Sequence, residues 1–184
     1  MAIFQRIRDF IYSAYFLAHL GFAAAFDAQL VLDRSLFPKQ LVDALDQYVK
    51  EYKDPFIANP PHWFKSLLYV ELGLQVPFLF LAFFGSLAGA RWMRTPTLMY
   101  CTSVIVMVLP LISHIMQGTF TGSEVGPKTE DERVKLAGLY AAFLVAGVVI
   151  LLDYTLLRCP RTTPPTQARL PTTKEKEGKD KKRN

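Results

Sequence analysis

Cysteine is scarce in this 184-residue chain, which has only Cys101 and Cys159. One falls inside an apolar run and the other just beyond another run, so the chain carries no disulfide framework. Cys159, beside the membrane, is at most a candidate for palmitoylation. Histidine is equally sparse, with three residues, and none has the cysteines, histidines or acids at ligand spacing that a metal site needs. No cofactor is expected. The first apolar run lacks a small-residue cleavage site, which argues against a cleaved signal peptide. Internal repeats are missing too. A net charge of +5 would invite a nucleic-acid reading, but the excess sits in one terminal tail, and no nucleic acid is expected as a partner.

Apolar residues are abundant. They make up 51% of the chain, and the mean hydropathy is +0.19, too apolar for an ordinary soluble domain of this length. A helix needs about 20 residues to cross a bilayer, and runs at 10–32, 66–87, 97–118 and 136–157 are long enough. The expected fold class is all-α, an integral membrane bundle of four transmembrane helices. Basic residues set its orientation. Arg6 and Arg8 precede the first run, Arg91 and Arg94 occupy the second connection, and the tail from Arg158 holds nine lysines and arginines against three acids. Both termini are therefore expected in the cytoplasm. The chain divides into a transmembrane domain at 1–159 and a Pro-, Thr- and Lys-rich tail at 160–184, which cannot bury a core and is expected to be disordered. Lys181 and Lys182 in that tail resemble a dilysine retrieval signal of the endoplasmic reticulum; the alternative is a solvated basic tail that touches anionic lipid.

Residues 38–52, PKQLVDALDQYVKEY, place Leu41, Val42, Leu45, Tyr48, Val49 and Tyr52 on one face at helical spacing. This amphipathic helix either lies on the membrane surface, caps the bundle or binds a partner. After it, YKDPFIANPPHWFK reads as a rigid connection.

The run at 66–87 contains Glu71, and an ionisable residue in hydrocarbon marks a functional site with a partner nearby. Counting inward from the non-cytoplasmic boundary at about 1.5 Å per residue, Asp27 and Glu71 lie about five residues deep, and His114 and Tyr140 about four. Polar groups of four helices thus meet at one level and should face the bundle interior. Two carboxyls close together in a poorly solvated site cannot both ionise cheaply, so an Asp27 and Glu71 pair would share a proton and hold one negative charge. That suits a ligand with one cationic amine and a large apolar body. Gln75, one turn deeper, would orient it, and Pro77 and Pro110 would bend their helices to widen a cavity. Duller readings stand beside these. Asp27 marks the end of its span, His19 serves as an interhelical hydrogen-bonding residue, and His114 meets interfacial water. Asp153 and Tyr154 turn toward the headgroups beside Arg158.

The segments YFLAHL, FDAQLVL, EYKDPF, PPHWFKSLLYVELGLQVPF, WMRTP and VLPLIS, in this order and spacing from Tyr15 to Phe143, resemble the sigma-2 receptor family of the EXPERA group, in a fungal form. The resemblance implies that Asp27 binds the ligand amine, that Glu71 hydrogen-bonds Asp27, and that Asp54 is the aspartate of the loop motif. It also places Gln75 and His19 in the pocket. Where the family's human member has Tyr-Ala-Pro-Tyr, this chain has Tyr140-Ala141-Ala142-Phe143, a departure that bears on pocket shape and ligand preference. The ligand-binding residues expected are therefore Asp27, Glu71, Gln75, Asp54, His19 and Tyr140.

What the resemblance implies is a multi-pass protein of the endoplasmic-reticulum membrane, a homodimer in the bilayer. It would bind sterols or cationic amphiphiles and act in sterol homeostasis and trafficking, with no catalytic residue. The alternative is a sterol double-bond isomerase, since moving an alkene needs an acid and a base that a carboxyl pair or a histidine would supply. The emopamil-binding isomerases have five spans, and neither Trp63 nor Trp92 lies within a span here to steady a carbocation. A further alternative, suggested by a fungal relative, is the handling of mitochondrial precursors at the reticulum surface.

Overall fold

The computed structural model describes residues 2–120 and 125–157. Cys159, Lys181, Lys182 and the rest of the tail lie outside the described residues, and so does Arg158. Helix α1 covers Ala2–Ala25, α2 Lys39–Tyr52, α3 Pro55–Ala58, α4 His62–Val70, α5 Val76–Leu87, α6 Arg94–Gln117 and α7 Glu130–Leu152. There is no strand among the described residues. Four continuous stretches are long and apolar enough to cross a membrane: Ile3–Leu30, His62–Leu87, Arg94–Gln117 and Glu130–Leu157. The all-helical, four-span architecture agrees with the sequence.

The first and second spans depart from a plain helix where their chemistry requires it. α1 ends at Ala25, and after Phe26 the chain tightens into a 3₁₀ turn, Asp27–Leu30. The second span is α4 and α5 joined by a π-helical turn over Glu71–Gln75, in which the Val76 amide bonds the Glu71 carbonyl five residues back. Pro77 explains the placement. It has no amide to give the carbonyl four residues earlier, and its ring would press on that carbonyl in a regular helix. Gly89, at φ +64°, turns the chain from α5 toward α6. α7 opens on a capping box in which Thr129 and Glu132 satisfy each other's backbone amides, with Glu130, Asp131 and Glu132 in the first turn.

α1 packs against α5, and α6 against α7. Between lipid-exposed helices the attraction is close packing rather than exclusion of water. Accordingly Ala82 and Cys101 are fully buried among Phe16, Leu79 and Tyr100, and Ala23 is fully buried as well. A second cluster, Phe56, Phe64, Leu68, Ile115 and Leu136, closes the end of the bundle that carries α2 and α3. Large apolar side chains such as Phe4, Phe10, Leu74, Phe80 and Val106 are exposed on the outside, as a surface solvated by hydrocarbon requires.

The start of α1 and the end of α7 meet at the opposite end. Arg8 pairs with Asp153 at 2.5 Å, Arg94 donates to the Tyr154 carbonyl at 3.2 Å, and Arg6 to the Leu87 carbonyl at 3.3 Å. Here the expectation for Asp153 and Tyr154 is corrected. Both are buried, because a partner on the first span draws the aspartate inward and Tyr12 packs on Tyr154.

Candidate functional site

A cavity of about 300 Å³ lies in the half of the bundle nearest α2 and α3. Its polar lining comes from His19, Asp27, Tyr48, Glu71, Gln75 and Tyr140, and the rest of the wall is apolar, with Phe22, Phe26, Phe64, Leu68, Val108 and Phe143 among it. The exposed members of the lining, Phe22, Leu139 and Ala142, belong to α1 and α7. The open side of the cavity therefore lies between the first and fourth spans.

Asp27 sits where α1 gives way to its 3₁₀ turn, which points a side chain inward from the end of the span. It is 8% exposed, yet its carboxylate accepts no hydrogen bond from the described residues. Glu71 and Asp54 are close enough to act on it electrostatically. The hydrogen bond implied by the family resemblance, from Glu71 to Asp27, is absent. Glu71 Oε1 instead meets His19 Nε2 at 3.3 Å. His19 Nδ1 bonds the Tyr100 hydroxyl, which lies 3.2 Å from the Tyr15 hydroxyl. Two assignments satisfy every member: Tyr15 donates to Tyr100, Tyr100 to Nδ1 and Nε2–H to Glu71, or a protonated Glu71 donates to Nε2, Nδ1–H to Tyr100 and Tyr100 to Tyr15. The chain runs from the cavity wall into the core and fixes the Glu71 carboxyl in place.

Gln75, on the π-helical turn, donates from Nε2 to Ser103 Oγ at 3.3 Å and to Met107 Sδ at 3.0 Å. Its amide oxygen accepts from none of the described residues. The turn thus presents an acid and an amide to the same cavity from one helix.

Asp54 is completely buried and does not line the cavity. As the cap of α3 it accepts from the Phe56 amide at 2.9 Å and the Ile57 amide at 3.4 Å, and its other oxygen accepts from the Tyr140 hydroxyl at 2.8 Å and the Tyr48 hydroxyl at 3.1 Å. Burial raises its carboxyl above the ordinary range, against the pull of those donors. Burial also raises the Tyr48 hydroxyl well above the usual tyrosine range, so it stays a donor. Lys53, the residue before Asp54, adopts a left-handed conformation at φ 54°, and this reversal carries Asp54 under the end of α2.

Of the residues singled out in the sequence, Asp27, Glu71, Gln75, His19 and Tyr140 come together around one cavity, with Asp54 behind its wall. His114 does not join them. It is exposed at the closed end of the bundle, against Phe56 and Phe120, because depth in a span fixes a residue's level but not its face. Sequence reasoning missed Tyr48, Tyr100 and Met107. For Tyr48 the signal was there, since it lies on the apolar face of α2, which the structure folds over the cavity. Among the described residues no group of three or more histidines, cysteines and acids is arranged to hold a metal ion.

Residues 40–154 match the EXPERA family, the EXPanded EBP superfamily. The chain is 38% identical over 163 residues to the sigma intracellular receptor 2 of Xenopus tropicalis, covering 88% of this chain and 94% of that protein. It is 34% identical over 161 residues to the sigma intracellular receptor 2 of Homo sapiens, covering 85% and 90%.

Proposed function

From the chain's membership of the EXPERA family, in its sigma intracellular receptor 2 group, we propose that this multi-pass membrane protein binds a sterol or a lipophilic amine in its intramembrane cavity. On this reading it resides in the endoplasmic reticulum with its termini in the cytoplasm, and serves sterol or lipid homeostasis. The observation that carries the reading is Asp27, a buried carboxylate without a hydrogen-bond donor from the described residues, set in an apolar wall. A charge held in hydrocarbon is costly, and a ligand ammonium or hydroxyl supplies the donor that the wall does not. The phenyl rings around it accept the apolar body of such a ligand, and the free amide oxygen of Gln75 offers a second contact. Glu71 is tied to His19 and does not compete for the same hydrogen bond.

Titration of Asp27→Asn and Glu71→Gln with a cationic amphiphile and a neutral sterol tests this. Asp27→Asn should lose a charge-assisted contact of about 1.5 to 3 kcal/mol, or about one to two decades of amine affinity. Glu71→Gln should lose less, and the sterol should be affected less than the amine in both. Equal losses for both ligands in Asp27→Asn would make the aspartate structural. A second reading draws on the His19 and Glu71 contact at 3.3 Å, which places an acid and a base beside the cavity, as a sterol double-bond isomerase requires. A Δ8 sterol incubated with purified protein, with Glu71→Gln as control, decides it.

A further inference from the structure

A second cavity, of about 250 Å³, lies on the loop side of the first and is lined by Gln29, Arg34 and Asp46 among others. Leu45 and Ile57 line both. These two side chains, one on α2 and one on α3, are the septum between an intramembrane site and a polar recess at the aqueous surface. Leu45 is 4% exposed and is the single buried residue of α2; Tyr52, at the far end, packs against the cluster of Phe56 and Leu136, so the apolar hold on the earlier part of the helix is small.

The other ties of the helix are polar. The Arg34 guanidinium pairs with Asp46 at 2.6 Å, with both side chains about half exposed, and Gln29 donates to the Leu41 carbonyl at 3.2 Å. At the far end, Lys53 pairs with Glu132, Lys135 pairs with Glu51 at 3.2 Å and lies over the Tyr52 ring, and Tyr48 is bonded to Asp54. The end near Lys53 is therefore the anchored one. The remainder of α2 is fastened mainly by an exposed ion pair, which contributes little and is screened by salt.

We propose that the second cavity is the aqueous vestibule of the first, and that a water-soluble cationic amphiphile reaches Asp27 through it when α2 lifts Leu45 away from Ile57. The ion pair of Arg34 and Asp46 is the latch on this path, and Asp27 is its inner end. Neutral, membrane-dissolved ligands use the open side between α1 and α7 instead. The proposal rests on the binding role argued above and adds a second route to that site.

Arg34→Cys and Asp46→Cys, both exposed positions, are introduced into a Cys159→Ser background and bridged with a short bismaleimide, Cys101 being buried. Association and dissociation of a quaternary ammonium amphiphile and of a neutral sterol are then measured in lipid nanodiscs. The unbridged double variant, which lacks the ion pair, should exchange the amphiphile several-fold faster than the parent, and bridging should slow it about tenfold with the equilibrium affinity nearly unchanged. Sterol exchange should stay within about twofold throughout. As a second readout, a membrane-impermeant maleimide should label Leu45→Cys introduced alone into the Cys159→Ser background, faster at high salt, which screens the ion pair; no labelling at any salt would overturn the opening of α2. Amphiphile exchange that ignores the bridge, with binding intact, overturns the vestibule alone. Loss of saturable binding by the unbridged parent overturns both the vestibule and the binding role.

Discussion

The Tyr140 hydroxyl donates to the Asp54 carboxylate at 2.8 Å across 86 residues of sequence, and so joins the fourth span to the loop that roofs the cavity. Tyr48 donates to the same oxygen from α2. Asp54 touches no ligand-facing space itself, so its influence on binding passes through the two tyrosines that do.

The two partners should therefore fail differently. Tyr140→Phe keeps the ring and removes one hydrogen bond to an acid, a loss of about 1.5 to 3 kcal/mol. Asp54→Ala strands two hydroxyls and two amides beside a buried cap, and should cost more in thermal stability. It should also weaken amine and sterol binding alike, whereas Asp27→Asn weakens chiefly the amine. Thermal unfolding and titration of both ligands check this; an amine-selective defect in Asp54→Ala would mean that Asp54 contacts the ligand.

Pro77 sets the π-helical turn that aims Glu71 and Gln75 into one cavity. Pro77→Ala returns the missing amide and removes the ring, so the second span should relax toward an ordinary helix. Unfolding temperature should hold or rise, since an internal proline costs a helix about 3 kcal/mol. Ligand affinity should fall as both side chains rotate. Unchanged affinity with raised stability would show that the turn is maintained by packing and not by the proline.

Much of this was legible in the sequence, for identifiable reasons. The four spans follow from apolar composition, which the bilayer requires of any spanning helix. Asp27, Glu71 and Tyr140 share a level because a helix advances by a fixed rise, so counting suffices. His114 shares that level but not the cavity, since its rotation about α6 depends on packing with α7, which counting does not capture. The partner of Glu71 was misassigned for a related reason: His19 lies about two turns before Asp27 on the first span, and only the packing of that span on the second decides which one meets the acid. Asp153 was read as an exposed end residue because Arg8, 145 positions away, leaves no local trace. α2 showed its apolar face plainly. What that face covers is a tertiary fact.

The Arg8 and Asp153 contact gives a third expectation. Asp153 is 6% exposed, so Arg8→Met removes a charge-assisted contact from a buried carboxylate and should destabilise the bundle by about 1.5 to 3 kcal/mol. Adding Asp153→Leu should cost less than it does with Arg8 present, because their shared contact is already gone. A double-mutant cycle by thermal unfolding measures the coupling. Additive losses would mean that the two side chains act independently.

The open side of the cavity can be closed without touching its polar groups. Gly138 and Ala142 lie one turn apart on the same face of α7, and a Cβ added at Gly138 meets nothing within 4 Å. Gly138→Leu should therefore fold well, and the helix gains from losing a glycine. Together with Ala142→Trp it places bulk where Phe22 and Leu139 flank the mouth. A neutral sterol delivered from the bilayer should then associate and dissociate about tenfold more slowly, with its equilibrium affinity within a few-fold, because a barrier changes both rates equally. The quaternary amphiphile, which arrives from the aqueous side, should exchange as before. This is the mirror image of the pattern expected from bridging Arg34→Cys to Asp46→Cys. If the blocked mouth slows both ligands, the lateral opening is their common route; if it slows neither, the sterol does not pass between α1 and α7.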